Sequence, residues 1–81
     1  MPRQLRLAEA EPGKVYRVVR IEAEGVIKRR ILDMGLSPGT IVRVVGYAPL
    51  GDPIDVNVRG VNIGIRRGEA SHVIVEEVPA E

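Results

Sequence analysis

Two neighbouring residues, Ser71 and His72, are the first place to look for catalysis, because a histidine can activate a hydroxyl nucleophile. The sequence contains a single histidine and no cysteine. We expect residues 72 to 78 to form a strand, and adjacent side chains on a strand point to opposite faces. Ser71 and His72 therefore do not meet in the geometry that a catalytic triad demands. The sequence predicts no catalytic residue and no enzymatic activity.

A metal site would have to combine His72 with carboxylates, and Met34 is a further candidate donor. Glu76 follows His72 by four residues, so on a strand the two share a face but lie roughly 13 Å apart. This separation is too long for one ion to bind both side chains. Zinc sites need three or four converging nitrogen, sulfur or oxygen ligands. We therefore predict no metal site and no cofactor, with a direct metal-sensing module as an alternative.

Clustered basic residues raise a second alternative, because small barrels often bind RNA or DNA. The clusters are Lys28-Arg29-Arg30 and Arg66-Arg67. Single-strand binders stack bases on aromatic side chains, and this sequence offers only Tyr16 and Tyr47. Twelve basic and eleven acidic residues leave a net charge of +1, unlike that of a dedicated polyanion binder. We predict that these cations lie on solvated faces beside acidic residues, and that nucleic acid is not the partner.

The composition is that of a small folded domain. The chain has 81 residues, 44% of them hydrophobic, and we expect residues 1–81 to form a single domain. No apolar run approaches the roughly 20 residues of a membrane helix, and the N-terminus lacks the apolar segment of a signal peptide. These features predict a cytoplasmic protein without direct membrane insertion. Small domains often gain stability by self-association, so a homo-oligomer stays open.

Alternation and helical periodicity together predict a mainly β domain with one substantial helix. The expected elements are strands over 14–21, 41–47, 54–58, 61–65 and 72–78, a helix over 23–34 and a helical turn over 67–71. Five short strands at this spacing indicate a closed or half-closed antiparallel barrel. The helix lies between the first two strands, and the helical turn precedes the last strand.

The clearest predicted hairpin spans residues 54 to 65. Polar residues or glycine alternate with valine or isoleucine along both of its strands. A two-residue turn at Arg59-Gly60 pairs Val58 with Val61 and sets the register of the whole hairpin. In that register all the apolar side chains of the two strands lie on one face.

The end of the predicted helix is specified by its backbone chemistry. Ile27, Ile31 and Met34 fall on one stripe, which predicts that they face the core. Gly35 is suited to the left-handed cap that ends a helix, and in that geometry Leu36 packs back on Ile31.

Asp33, in the last helical turn, opposes the helix dipole. Arg29 and Arg30 precede it by four and three residues, so we predict an ion pair, or a hydrogen bond from Asp33 into the following turn. A contact with a partner is the alternative role of Asp33.

Two turns follow the helix. Ser37-Pro38-Gly39-Thr40 suits a type II turn, with proline and glycine at the two central positions. After the next strand, Ala48-Pro-Leu-Gly-Asp-Pro53 forms a loop stiffened by two prolines. Its odd member is Leu50, a large apolar side chain at the expected tip of a loop.

The combined pattern resembles the FeoA family, the small ferrous iron transport protein A. The residues that carry the resemblance are Arg30-Ile-Leu-Asp-Met-Gly-Leu-Ser-Pro-Gly-Thr40, Ala48-Pro-Leu-Gly-Asp-Pro53, Val58-Arg-Gly60 and Ile65-Arg-Arg-Gly-Glu-Ala70. The resemblance implies an SH3-like barrel. It also implies a cytosolic accessory to the membrane ferrous iron transporter, which carries a G-protein-like domain, and action by protein contact.

On this interpretation, the protein modulates or assembles the transporter through a contact surface. We expect that surface to include Pro49 and Leu50 in the loop, with Met34 and Leu36 as candidates at the helix end. An apolar side chain on a rigid loop loses little entropy on binding. The module also resembles the SH3-like domain of metal-dependent repressors, so a regulator-associated barrel is a further alternative.

Overall fold

The computed structural model describes residues 3–79, which form one antiparallel β-sheet flanked by two helices. The strands are β1 (Gln4–Arg6), β2 (Val15–Ile21), β3 (Ile41–Tyr47), β4 (Ile54–Val58), β5 (Val61–Ile65) and β6 (Val73–Glu77). Their order across the sheet is β1-β6-β2-β3-β4-β5. The helices are α1 (Gly25–Asp33), between β2 and β3, and the short α2 (Arg67–Ala70), before β6. A 3₁₀ turn covers Leu7–Glu9.

The sheet has one strand more than the five expected from the sequence, and the additional strand is β1. Three residues are too few to show an alternation of period two. The segment is extended because it pairs with β6, which places Leu5 opposite Val75. The prediction of a mainly β domain is confirmed, whereas the strand count is corrected from five to six.

The helices lie where the sequence predicted them, with small changes at their ends. The predicted helix over residues 23–34 is observed as Gly25–Asp33, and the predicted helical turn as Arg67–Ala70. Within residues 3–79, neither helix combines the length and the apolar character that crossing a membrane requires.

The hairpin of β4 and β5 has the predicted register, with Val58 opposite Val61 and Ile54 opposite Ile65. Its turn residues Arg59 and Gly60 both have positive φ, at 54° and 85°, as a type I′ turn requires. The inward side chains of β4 are buried, but Val61 is 60% exposed. At the turn end of the hairpin, β4 is therefore buried and β5 is exposed.

Two β-bulges bend the sheet. The pairing register shifts between Val18 and Arg20 on β2 and between Val44 and Gly46 on β3. A bulge inserts one residue opposite a regular strand and increases the local bend and twist. The second of these bulges lies within the strand that the sequence predicted over residues 41–47.

Branched aliphatic side chains and Tyr16 fill the core. Leu7 from the 3₁₀ turn, Ile31 from α1 and Ala70 from α2 all cover the sheet and are fully buried. Burial of a large aliphatic side chain contributes about 1.5–3 kcal/mol. The core thus fixes both helices, and with them the loops next to them, to the sheet.

Candidate protein-interaction site

The loop between β3 and β4, called below the β3–β4 loop, presents Leu50 with 96% of its surface exposed. The Gly51 N–H donates to the Ala48 carbonyl at 2.7 Å, and the Ala48 N–H donates to the Pro53 carbonyl at 3.0 Å. Gly51 has φ of 82°, which glycine adopts without a steric penalty. These bonds close the loop on itself and leave Pro49 and Leu50 at its exposed tip.

Arg67, the first residue of α2, holds this loop from one side. Its backbone N–H donates to Asp52 Oδ1 at 3.1 Å, and its Nη1 donates to the Gly51 carbonyl at 3.2 Å. Its Cζ lies 5.8 Å from the centroid of the Tyr47 ring, within the range of a cation–π contact. The sequence suggested only a solvated cation at this position. The structure shows that Arg67 is the residue that fixes the loop to the body of the domain.

Tyr47, the last residue of β3, anchors the base of the loop. Its hydroxyl donates to the Ala10 carbonyl, and the Ala8 carbonyl lies 3.3 Å away. Burial raises the pKa of the Tyr47 phenol above its usual value, and the nearby positive charge of Arg67 partly offsets this shift. The phenol therefore keeps its proton, and its role as a donor, well above neutral pH.

The helix end around Gly35 has the predicted cap geometry. Gly35 has φ of 92°. Its N–H donates to the Leu32 carbonyl at 2.9 Å, and the Leu36 N–H is 3.4 Å from the Ile31 carbonyl, which is the Schellman pattern. Leu36 and Ile31 are both fully buried. The expected place of Leu36 on a contact surface is therefore corrected, because the cap turns its side chain into the core.

Met34 does not lie beside Leu50. It is half-buried against the core. The next residue, Gly35, lies beside Val58 at one end of β4, because a Cβ added at Gly35 would be 3.7 Å from Val58 Cγ1. The β3–β4 loop leads instead into Ile54, at the opposite end of the same strand. Four residue steps along a strand span about 13 Å. The two parts of the predicted contact surface are therefore at different ends of β4.

Helix α1 exposes an apolar surface that the sequence did not predict. Ile31 is its one buried residue within the described chain, whereas Ile27, from the same predicted stripe, is 46% exposed. Val26 is 74% exposed and Leu32 38% exposed. The first turn of the helix faces α2 across an open depression of about 300 Å³, lined by Ile27 and Gly68 among others. The prediction that Ile27 faces the core is therefore corrected, because this end of the helix borders an open depression.

His72 and Glu76 each join two segments of the chain, whereas Ser71 bonds within the turn that ends α2. His72 Nδ1 is 3.0 Å from the Glu22 carbonyl, the Ser71 hydroxyl donates to a carbonyl of α2 at 2.6 Å, and Glu76 accepts from Arg17 at 3.1 Å. Among residues 3–79, no three His, Cys, Asp or Glu side chains are arranged to hold a metal ion. The hydrogen bonds of these three side chains give each of them a structural role within the domain.

The basic cluster of α1 is partly engaged by α2. Arg30 Nη1 lies 3.4 Å from Glu69 Oε2. The predicted partner of Arg30 was Asp33, but the ion pairs within residues 3–79 do not include Asp33. The expected pair is therefore replaced by one that links the two helices, and the guanidinium of Arg30 points towards α2.

Comparison with known proteins identifies one family and one fold. The family model of the FeoA domain matches residues 5–77. The NMR structure of a FeoA-like protein from Clostridium acetobutylicum matches with a TM-score of 0.90 and 34% identity, covering 100% of this chain and 94% of that one. The crystal structure of Stenotrophomonas maltophilia FeoA complexed with zinc, described as an SH3 domain protein, matches with a TM-score of 0.75 and 29% identity over 88% of each chain. The fold is therefore SH3-like.

A curated relative has the same domain within a much longer chain. The Fe(2+) transport protein A/Fe(2+) transporter FeoB fusion protein of Porphyromonas gingivalis is 39% identical over 72 residues. The alignment covers 89% of this chain and 8% of the relative. The chain therefore spans less than a tenth of the length of this relative, and the similarity concerns that part alone.

Proposed function

The chain belongs to the FeoA family, and on that premise we propose that it is a cytosolic, non-enzymatic accessory protein of ferrous iron uptake. The partner in this proposal is the membrane ferrous iron transporter, with its G-protein-like domain. In the relative from P. gingivalis, transport protein A and the transporter FeoB are fused in one polypeptide. Fusion keeps two modules at a high effective concentration. The fusion supports direct contact between the corresponding separate chains.

Leu50 is the residue on which the proposed contact rests. It is 96% exposed, on a loop that Arg67 and Tyr47 hold in place. Covering a leucine side chain is worth about 1.5–3 kcal/mol, and a loop that is already ordered loses little entropy on binding. We place the centre of the contact at Pro49 and Leu50. Leu36 is excluded from it by burial.

A binding measurement with the isolated cytosolic domain of the transporter from the same organism tests this contact. Leu50→Asp places a charge at the centre of the surface and is expected to weaken binding by at least about tenfold, whereas Leu50→Met keeps an apolar side chain and binds like the wild type. Ile41→Asp is the matched control, because Ile41 is an exposed apolar residue at the opposite end of β3.

Uptake of radioactive ferrous iron by cells gives the second measurement. A strain that lacks the protein is complemented with the wild type, Leu50→Asp or Ile41→Asp. The proposal predicts that Leu50→Asp alone fails to restore uptake while the protein remains folded and abundant. If Leu50→Asp binds the transporter domain and restores uptake like the wild type, the β3–β4 loop is not the contact.

A further inference from the structure

Strand β5 forms one edge of the sheet, with β4 as its neighbour. In the two-residue turn, the Val61 N–H bonds to the Val58 carbonyl, and bonded and non-bonded pairs alternate along an antiparallel ladder. Asn62 and Gly64 therefore direct their backbone N–H and C=O groups away from β4. Among residues 3–79, no backbone hydrogen bond outside the ladder involves either residue. The edge thus offers two consecutive positions at which another strand can pair.

This edge lacks the features that normally prevent strand addition. Natural edge strands are commonly protected by lysine or other charges, by proline or by a bulge. β5 reads Val-Asn-Ile-Gly-Ile, with no charge and no proline, and its pairing with β4 is regular throughout. Val61 is 60% exposed, and Ile63 is half-buried beside it. An apolar, regular edge of this kind is a template for an incoming strand.

Charged residues give the edge a distinct pattern. Arg59 lies in the turn before β5, and Arg66 follows the strand directly. Neither arginine takes part in the ion pairs formed within residues 3–79. Asp55 lies opposite Gly64, and its Oδ1 would be 3.6 Å from a Cβ added there. The two ends of the edge are therefore positive, and the outer face between them carries a carboxylate.

We propose that the β5 edge binds an extended segment of another protein by strand addition. The segment pairs with Asn62 and Gly64 through about four backbone hydrogen bonds. An apolar residue on its inner face covers Val61 and Ile63, and carboxylates at its two ends meet the two flanking arginines. The residue opposite Gly64 on the outer face is uncharged or basic because of the nearby Asp55. This site does not include Leu50 and does not depend on the function proposed above.

A second copy of this chain fits the edge less well than an acidic segment. If Asn62 of one copy paired with Gly64 of the other in antiparallel orientation, Arg59 of one copy would face Arg67 of the other. Arg59 lies in the turn before β5 and Arg67 in α2, so this is an approach of like charges at the two ends of the edge and not a cross-strand pair, and it is unfavourable. A segment with carboxylates at both ends replaces this repulsion by attraction. The charges therefore favour a partner of different sequence.

A random library of displayed peptides of about ten residues, the upper length of a typical strand, is the first probe of the edge. The full chain is immobilised and used to select binders. The expected result is enrichment of sequences in which apolar and polar residues alternate and which carry Asp or Glu at both ends. Selection of no sequence, or of sequences without this pattern, would overturn the proposal.

Substitutions at Gly64 test the pairing itself with a synthetic peptide of the most enriched sequence. Gly64→Pro removes the outward N–H and puts a ring in the path of the added strand, so binding weakens by at least about tenfold. Gly64→Ala keeps the N–H, and its Cβ makes only contacts of 3.6 Å or longer, so it binds like the wild type. Unchanged binding by a folded Gly64→Pro variant contradicts strand addition.

Modification of the peptide provides the same test without changing the protein. N-methylation of the peptide nitrogens that face β5 abolishes binding, whereas methylation of the alternate nitrogens does not. Equal effects of the two methylation patterns would rule out strand pairing even where Gly64→Pro does not fold.

The charge pattern and the choice of occupant have their own measurements. Arg59→Glu and Arg66→Glu each weaken binding of the acidic-ended peptide, and Arg29→Glu, an exposed control on α1, does not. Equal effects of all three substitutions contradict the role of the flanking arginines.

Sedimentation of the wild type and of Gly64→Pro, each without peptide, tests whether a second copy occupies the edge. We expect no dimer that is present in the wild type and absent from Gly64→Pro. Such a dimer would show that the occupant is a second copy of the chain.

Discussion

The guanidinium of Arg67 lies over the ring of Tyr47, with 5.8 Å between Cζ and the ring centroid. The two residues belong to different elements, the start of α2 and the end of β3. Arg67 also bonds to the Gly51 carbonyl, and Tyr47 bonds to the Ala10 carbonyl. The β3–β4 loop is therefore connected to α2 on one side and to the segment after the 3₁₀ turn on the other.

Replacement of Arg67 by alanine is expected to loosen this loop without unfolding the domain. It removes the hydrogen bond to Gly51 and the contact with Tyr47, at a cost of about 1 kcal/mol in the free energy of unfolding. Amide hydrogen exchange at Gly51 accelerates more than exchange in β2 or β6. Urea denaturation and hydrogen exchange followed by NMR measure the two effects.

Arg66→Ala is the control for this prediction. Arg66 is the neighbouring arginine and is also exposed, but no hydrogen bond from its side chain to the loop is present among the described residues. We expect its stability and its Gly51 exchange rate to match those of the wild type. If Arg67→Ala and Arg66→Ala behave alike, Arg67 does not fix the loop.

Tyr47→Phe should alter the dependence of stability on pH. The pKa of Tyr47 is raised in the folded state by burial, so at alkaline pH the unfolded chain loses this proton first. Stability contributed by the protonated phenol is complete below the unfolded pKa of about 10 and decreases as the pH rises through the folded value. The wild type therefore loses more stability than Tyr47→Phe as the pH rises above about 10.

At neutral pH the same substitution removes the donor to the Ala10 carbonyl and lowers the free energy of unfolding by about 1 kcal/mol. Urea denaturation at each pH measures the free energy of unfolding of both proteins. The difference between the two values removes the contribution of titratable groups that both proteins share. Parallel stability curves across the alkaline range would show that Tyr47 does not titrate differently in the two states.

Backbone chemistry made several parts of the fold predictable. Alternation on both sides of Arg59-Gly60 specified the register of the β4–β5 hairpin, and the pairing of Val58 with Val61 is as predicted. Gly35 after the helical stripe predicted a left-handed cap, which is present with φ of 92°. In both cases a few consecutive residues determine the local geometry, so it could be predicted without knowledge of distant contacts.

Features that depend on distant contacts were not predictable from the same patterns. Strand β1 is extended only because β6 pairs with it. Ile27 has helical spacing to Ile31, yet the first turn of α1 faces an open depression next to α2. The role of Arg67 depends on a carbonyl sixteen residues earlier in the chain. Leu50 could be recognised as an exposed apolar residue, but the contacts that hold its loop could not.

Gly35→Ala should destabilise the domain, and Gly68→Ala should not. The left-handed conformation of Gly35 is unfavourable for a residue with a Cβ, so the free energy of unfolding falls by about 1 kcal/mol or more. The loss does not come from a clash, because the nearest atom would be 3.7 Å from the new Cβ. Gly68 lies within α2, and no atom is within 4 Å of an added Cβ. Its replacement is neutral or stabilises by up to about 1 kcal/mol. Thermal denaturation of both variants measures the difference, and equal losses would contradict the assigned role of Gly35.

Leu36→Ala and Leu50→Ala separate the two parts of the contact surface that the sequence suggested. Leu36 is fully buried, and Leu50 is 96% exposed. Truncation of a buried leucine removes apolar contacts and leaves a cavity, so Leu36→Ala lowers the free energy of unfolding by about 2–5 kcal/mol. Leu50→Ala changes it by less than about 0.5 kcal/mol but weakens binding to the transporter domain. Urea denaturation and the binding assay distinguish these effects. A large loss of stability in Leu50→Ala would show that this side chain packs against the domain and is not available to a partner.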